Sequence, residues 1–96
     1  MPHRIDIELP VERDYDYTPE YYHRLAIARN AQNIQLYIKF INAEDRKGGN
    51  NDFLQQQIDH LWKHGQVLED ELPSILQDAK RYRIKNKLRN MVGKCG

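Results

Sequence analysis

The chain holds a single cysteine, a single serine and a single threonine among its 96 residues. Cys95 alone cannot close an intrachain disulfide, so a disulfide-stapled secreted scaffold is excluded. Ser74 and Thr18 stand where helices are expected to start, and Cys95 sits outside any nucleophile motif, so nucleophilic catalysis has no evident agent. No apolar run approaches the ~20 residues that a spanning helix needs, so no membrane association is expected. The five glycines form no collagen-like repeat. Gly48-Gly49 lacks the spacing and the following Lys-Ser/Thr of a phosphate loop. The charged opening, with Arg4, Asp6 and Glu8, does not read as a signal peptide, and the expected setting is the cytoplasm.

What is present suits one small domain. Hydrophobic residues make up 40% and charged residues 30%, with 15 Lys+Arg against 14 Asp+Glu. A chain this short builds a thin core, so oligomerisation or a partner is expected. The net charge of +1 hides strong segregation. Residues 1–20 set Arg4 and Arg13 against Asp6, Glu8, Glu12, Asp14, Asp16 and Glu20, a local sum of −4. Residues 66–79 carry Glu69, Asp70, Glu71 and Asp78 and no base, again −4. Residues 80–94 carry Lys80, Arg81, Arg83, Lys85, Lys87, Arg89 and Lys94 and no acid, a sum of +7. Acidic arms and basic tails are interaction signals, although each run also reads as a solvated face or as a match for the other within a dimer.

Periodicity divides the chain into an extended acidic arm over 1–17 and one helical domain over 18–96. In residues 4–12 Ile5, Ile7, Leu9 and Val11 alternate with Asp6, Glu8 and Glu12, the period of a half-buried strand that Pro10 confines to an edge. Thr18-Pro19-Glu20 reads as a helix start, with Thr18 as cap. That helix is expected to run to about Ala43, and Ile27, Ala31, Ile34, Ile38 and Ile41 form a heptad-like stripe on it. Tyr22, Leu25, Leu36 and Phe40 lie nearer its opposite side, so it needs cover on two sides. Lys47 to Asn51 is a loop. A second helix is expected from Asp52 to Gly65, burying Phe53, Leu54, Ile58, Leu61 and Trp62, with Gly65 as its left-handed terminator. Glu71-Leu72-Pro73-Ser74 marks the start of a third helix, or a kink in a longer one. Its early apolar residues (Leu72, Ile75, Leu76, Ala79) and its late ones (Ile84, Leu88, Met91, Val92) point to nearly opposite sides at about 100° per residue. Either that helix breaks near Arg81–Arg83, or its last turns pack on something other than its first.

Two polar patterns compete for a function. His60 and His64 share a helical face at a spacing that can hold zinc, but no third ligand accompanies them, and the dipole of a helix's last turn favours His there by itself. The run from Lys80 to Arg89 displays Lys80, Arg83 and Lys87 on one side and Arg81, Lys85 and Arg89 on another. Phosphate backbones suit such a display, which makes nucleic-acid binding through Lys80, Arg81, Arg83, Lys85, Lys87 and Arg89 one reading. Acidic proteins suit it as well. The opening strand pattern is also that of ribbon-helix-helix repressors, but its polar face would present Asp6 and Glu8 to phosphates.

The stretches NAEDRKG (42–48), IDHLWKHG (58–65) and KLRNMV (87–92), in this order, resemble the C-terminal half of the Gam proteins of lambda-like phages. The resemblance implies an all-helical dimer that binds the host RecBCD helicase-nuclease, keeps it from DNA ends and uses neither cofactor nor metal. It also implies imitation of DNA by an acidic surface. In this chain that surface would draw on Asp6, Glu8, Glu12, Asp14, Asp16 and Glu20 of the arm, and Glu44 and Asp45 at the helix end. The arm has no counterpart in the resemblance, and the basic tail would repel a channel built for phosphates unless turned away. Ile58, Leu61 and Trp62 read as core. The resulting expectation is a non-enzymatic, all-α homodimer of about three helices whose dimer contact uses Ile27, Ile34, Ile38, Ile41, Ile84 and Leu88. A nucleic-acid accessory protein and a helical assembly or adaptor module are the alternatives.

Overall fold

The computed structural model describes residues 7–94. Two helices dominate it: α1 over Thr18–Lys47 and α2 over Asp52–Lys94. Buried and half-buried positions alternate at three- and four-residue steps in both. One such stripe in α1 runs through Glu20, His23, Ile27, Asn30, Ile34, Tyr37 and Ile41, with Ala28 also buried beside it, and one in α2 through Leu54, Ile58, Leu61, Gly65, Leu68, Leu72, Ile75 and Ala79. This is heptad spacing, and the two stripes meet in an antiparallel hairpin. The molecule measures 72 × 25 × 13 Å, one layer of two helices.

The hairpin turn is written in glycine. Gly48 takes φ 72°, in the left-handed region. Its N–H donates to Asp45 O at 3.1 Å and the Gly49 N–H donates to Glu44 O at 2.8 Å, the paired bonds of a Schellman termination. The Asp52 N–H then donates to Asn50 Oδ1 at 2.9 Å and opens α2. At the other end of α1, Tyr17 occupies the capping position without a side-chain bond, one residue before the expected Thr18.

Two sequence expectations are corrected here. Gly65 does not end a helix, and no third helix begins near Leu72: α2 runs through Gly65 and Pro73 without a break. The proline removes one hydrogen bond and costs about 3 kcal/mol. Full burial of a Leu or Ile returns about 1.5–3 kcal/mol, and half-burial proportionately less. Leu68, Leu72 and Ile75 bracket Pro73 on the α1 side, so the seam outweighs the break. Gly65 is needed for space, since a Cβ there would lie 2.7 Å from Asn30 Nδ2.

The expected strand is the other correction. Residues 7–11 belong to no strand, and Glu12–Asp14 is a single 3-10 turn. A strand needs a ladder partner, and among the described residues every regular element is helical. Residues 4–6 of that expected strand lie outside the described residues.

Polar side chains fix the helix register. Asn30 Nδ2 donates to Leu61 O at 2.9 Å. His23 Nε2 bonds to the Leu68 carbonyl oxygen in a buried contact. Ala79 is fully buried, at 0% exposure. Beyond it the two apolar sets of α2 separate as their periodicity requires. Leu72, Ile75 and Ala79 face α1, while Ile84, Leu88 and Met91 are 52%, 57% and 58% exposed.

Gly65→Ala should therefore behave oppositely in two backgrounds. In the wild-type chain the methyl displaces the Asn30 amide from Leu61, a loss of about 1–3 kcal/mol. That loss opposes a helix-propensity gain of about 1 kcal/mol. With Asn30→Ala already present, the same substitution should stabilise by about 1 kcal/mol in urea denaturation. Equal effects in both backgrounds would refute the packing assignment.

Candidate protein-binding surface

The arm is tied to the hairpin by one guanidinium. Arg83 of α2 donates from Nε to Asp16 Oδ1 and from Nη2 to Glu20 Oε1, each at 3.0 Å. Glu20 is buried at 5% exposure, and its other oxygen accepts from Arg24 Nε at 3.1 Å. The buried Glu20 carboxylate thus accepts charge-assisted hydrogen bonds from two guanidiniums, one on each helix. The bond to Glu20, and then the bond to Asp16, hold the Arg83 guanidinium above the ordinary arginine range. Its contribution to folding is therefore complete below that range and is lost only as pH rises past it. Aromatic contacts reinforce the joint: Tyr17 lies 5.3 Å from Tyr82, and Tyr15 lies 6.0 Å from Tyr21, between ring centroids.

So anchored, the arm borders a cavity of about 810 Å³. Ile7, Leu9, Pro10 and Val11 line it from the arm, and Ile27, Ala28, Ala31 and Leu72 from the hairpin. Glu8, Asp14 and Glu69 bring carboxylates to it. A second hollow of about 420 Å³ shares Ile27, Ala31 and Glu69 and continues to Ile34, Ile38 and Trp62. The apolar groove between the helices is thus bordered by the arm over only part of its length.

The sequence-derived acidic set divides into two groups. Glu8, Glu12, Asp14 and Asp16 are exposed near the start of α1, and Asp6 lies outside the described residues. Glu20 belongs with them in space but is engaged internally. Glu44 and Asp45 sit at the far end of α1, about 36 Å away along the helix at ~1.5 Å per residue. Asp45 there accepts from Asn51 Nδ2 at 2.7 Å. Of the basic set, Lys80, Arg81, Lys85, Lys87 and Arg89 are exposed, and Arg83 is committed to the arm.

The candidate dimer residues divide as well. Ile34 and Ile41 are buried and Ile27 is half-buried, all three on the intrachain seam, because the long α2 supplies the cover that the sequence assigned to a second copy. Ile38, Ile84 and Leu88 remain exposed. Ile58 and Leu61 line the seam as read, but Trp62 is 63% exposed at the edge of the seam, where it borders the second hollow beside Ile34 and Ile38, and is not core.

Sequence reasoning missed two residues. Glu69 was read as plain surface, but the fold sets it beside Glu8 and Asp14 on one cavity. Only the continuity of α2 through Gly65 reveals this. Arg83 was grouped with the basic run, although uncompensated charge on both arm and tail was a signal that they could pair. His60 and His64 are exposed, and among the described residues no three His, Cys, Asp or Glu side chains converge into a metal-binding group. No described helix is long and apolar enough to cross a membrane. No family model, curated protein or solved structure matches this chain.

Arg83→Gln should loosen the arm while leaving the hairpin folded. Trypsin cleavage after Arg13 is expected to accelerate severalfold with helical circular dichroism retained, since local opening governs access to the cut site. Unchanged cleavage would show that Arg83 does not hold the arm.

Proposed function

We propose that this protein is a non-enzymatic inhibitor that binds the host RecBCD helicase-nuclease, blocks its access to DNA ends and so protects phage DNA. The observation that carries this reading is the anchoring of the acidic arm. Exposed Glu8, Glu12 and Asp14 belong to an arm fixed to a rigid hairpin through Asp16, Glu20 and Arg83. A fixed row of carboxylates is what a channel built for phosphates attracts, because steering and register both depend on charges whose positions are set beforehand. The resemblance over residues 42–92 names the enzyme. The engagement of Arg83 removes one base from the tail that would otherwise oppose docking. The working form is a cytoplasmic homodimer in the host cell, a state that the exposed Ile38, Ile84 and Leu88 favour.

Nucleic-acid binding is the second reading, and the exposure of Lys80, Arg81, Lys85, Lys87 and Arg89 favours it. The two readings separate on linear duplex DNA. An inhibitor protects the DNA from RecBCD at stoichiometric amounts without binding it. A phosphate-binding tail instead retards the DNA itself, and that effect weakens steeply as salt rises.

Replacing Glu8, Glu12 and Asp14 together with lysine should raise the concentration needed for half-protection by about tenfold or more, chiefly through slower association. Failure of the wild-type protein to protect linear DNA, even in molar excess, would refute this function.

A further inference from the structure

We infer that the second hollow, the one beside Trp62, is a binding site for a small organic cation: an amine or guanidine carried on an apolar body. Its long wall is apolar. Ile27, Ala31, Ile34 and Ile38 recur at three- and four-residue steps of α1 and line it over about 17 Å at ~1.5 Å per residue. Ile34 is buried, whereas Ile38 and Trp62 are exposed, so the hollow has a closed floor and an open rim. Its volume of about 420 Å³ falls within the roughly 300–1,000 Å³ of small-molecule sites.

The polar lining selects the occupant, because its free atoms accept. Asn30 lines the hollow and is only 7% exposed. Its Nδ2 is committed to the Leu61 carbonyl, which can only accept, so the orientation of the amide is fixed. Oδ1 is left buried with no partner. Gln66 is ordered in the same way. Its Nε2 donates to the Asp70 carboxylate at 3.0 Å, which leaves Oε1 to accept. Gln35, which also lines the hollow, can serve as donor or acceptor. Glu69 supplies the charge, and no base among the described residues lies within ion-pair distance of it. Trp62, Gln66 and Glu69 follow one another at steps of four and three residues, which places them on one side of α2. An indole and an unpaired carboxylate on one wall suit a cation. An anion would be repelled by Glu69. A neutral hydrocarbon would strip water from Glu69 and give the Asn30 oxygen no donor. A protein segment brings a carbonyl with nearly every N–H, and the hollow offers those carbonyls little to bond.

Trp62 is the single tryptophan, so its fluorescence reports on the site directly. The probe is phenylbutylamine, titrated into the full chain beside three molecules with the same body. Phenylbutanol is neutral, phenylbutyrate is an anion, and the trimethylated ammonium keeps the charge but has no N–H. The amine should bind about fivefold or more tighter than the alcohol, with phenylbutyrate weakest. The trimethylated ammonium should bind about threefold or more weaker than the amine. Glu69→Gln should cut the preference for amine over alcohol to about twofold and leave alcohol binding unchanged. Glu69 is exposed, so the urea midpoint of that variant should stay where it is. Equal binding of amine and alcohol would overturn the proposal. So would a trimethylated ammonium that binds as well as the amine, or a preference that survives Glu69→Gln. Binding of a helical leucine–lysine peptide without binding of the free amine would give the hollow to a protein segment and overturn it too. A Trp62 emission that shifts with protein concentration alone, and no longer answers the amine, would give the hollow to a second copy, with the same consequence.

Discussion

The antiparallel seam between α1 and α2 governs everything else in this molecule, because a hairpin of two helices has only that one interface. Each helix can turn one stripe inward. Every apolar residue off that stripe faces outward, and a body 13 Å thick has no second layer in which to hide it. Leu36, Ile38, Phe40, Phe53, Trp62, Ile84, Leu88 and Met91 are all exposed for this reason. The excess of apolar surface follows from fold geometry, and the proposed contacts with other macromolecules rest on it.

The seam itself mixes apolar packing with polar registration. His23 and Asn30 bond to backbone carbonyls of α2, and Gly65 makes room for one of them. A sliding hairpin would break both bonds together, so these contacts specify alignment more than they add stability. Asn30 Oδ1 is buried without a partner, a penalty of about 1–3 kcal/mol that a purely apolar seam would avoid. Glu20 performs the same registering role at the open end. There it draws Arg83 and Arg24 together, and with them the arm.

Much of this was legible in the residues. The start of α1, the glycine turn and the opposed apolar sets of α2 follow from capping, backbone conformation and helical period. The course of α2 was not legible, because Gly65 and Pro73 are local breakers and local rules end a helix at each. Their effect is overruled by Leu61, Leu68, Leu72 and Ile75 packing on α1, a partner that pattern alone does not supply. Apart from the expected strand, the other misreadings descend from that one. A short second helix left Ile34 and Ile41 in need of a second copy, made Trp62 core and separated Glu69 from the arm. The basic run was visible, but the selection of Arg83 alone to tie down the arm required knowing where α1 begins against α2.

The charge pattern then acquires a structural sense. The arm's carboxylates are displayed on an anchored support, while α2 carries an acidic block, residues 66–79, followed by a basic one, residues 80–94. On this account the projecting turns of α2 exist to be covered. Hydrogen exchange of the backbone amides of residues 84–91, followed across protein concentration, tests that directly. Protection that is absent in dilute solution and grows with concentration, in step with association, is the result expected here. Amides that exchange equally fast at every concentration would show that the face is never covered and would contradict the account.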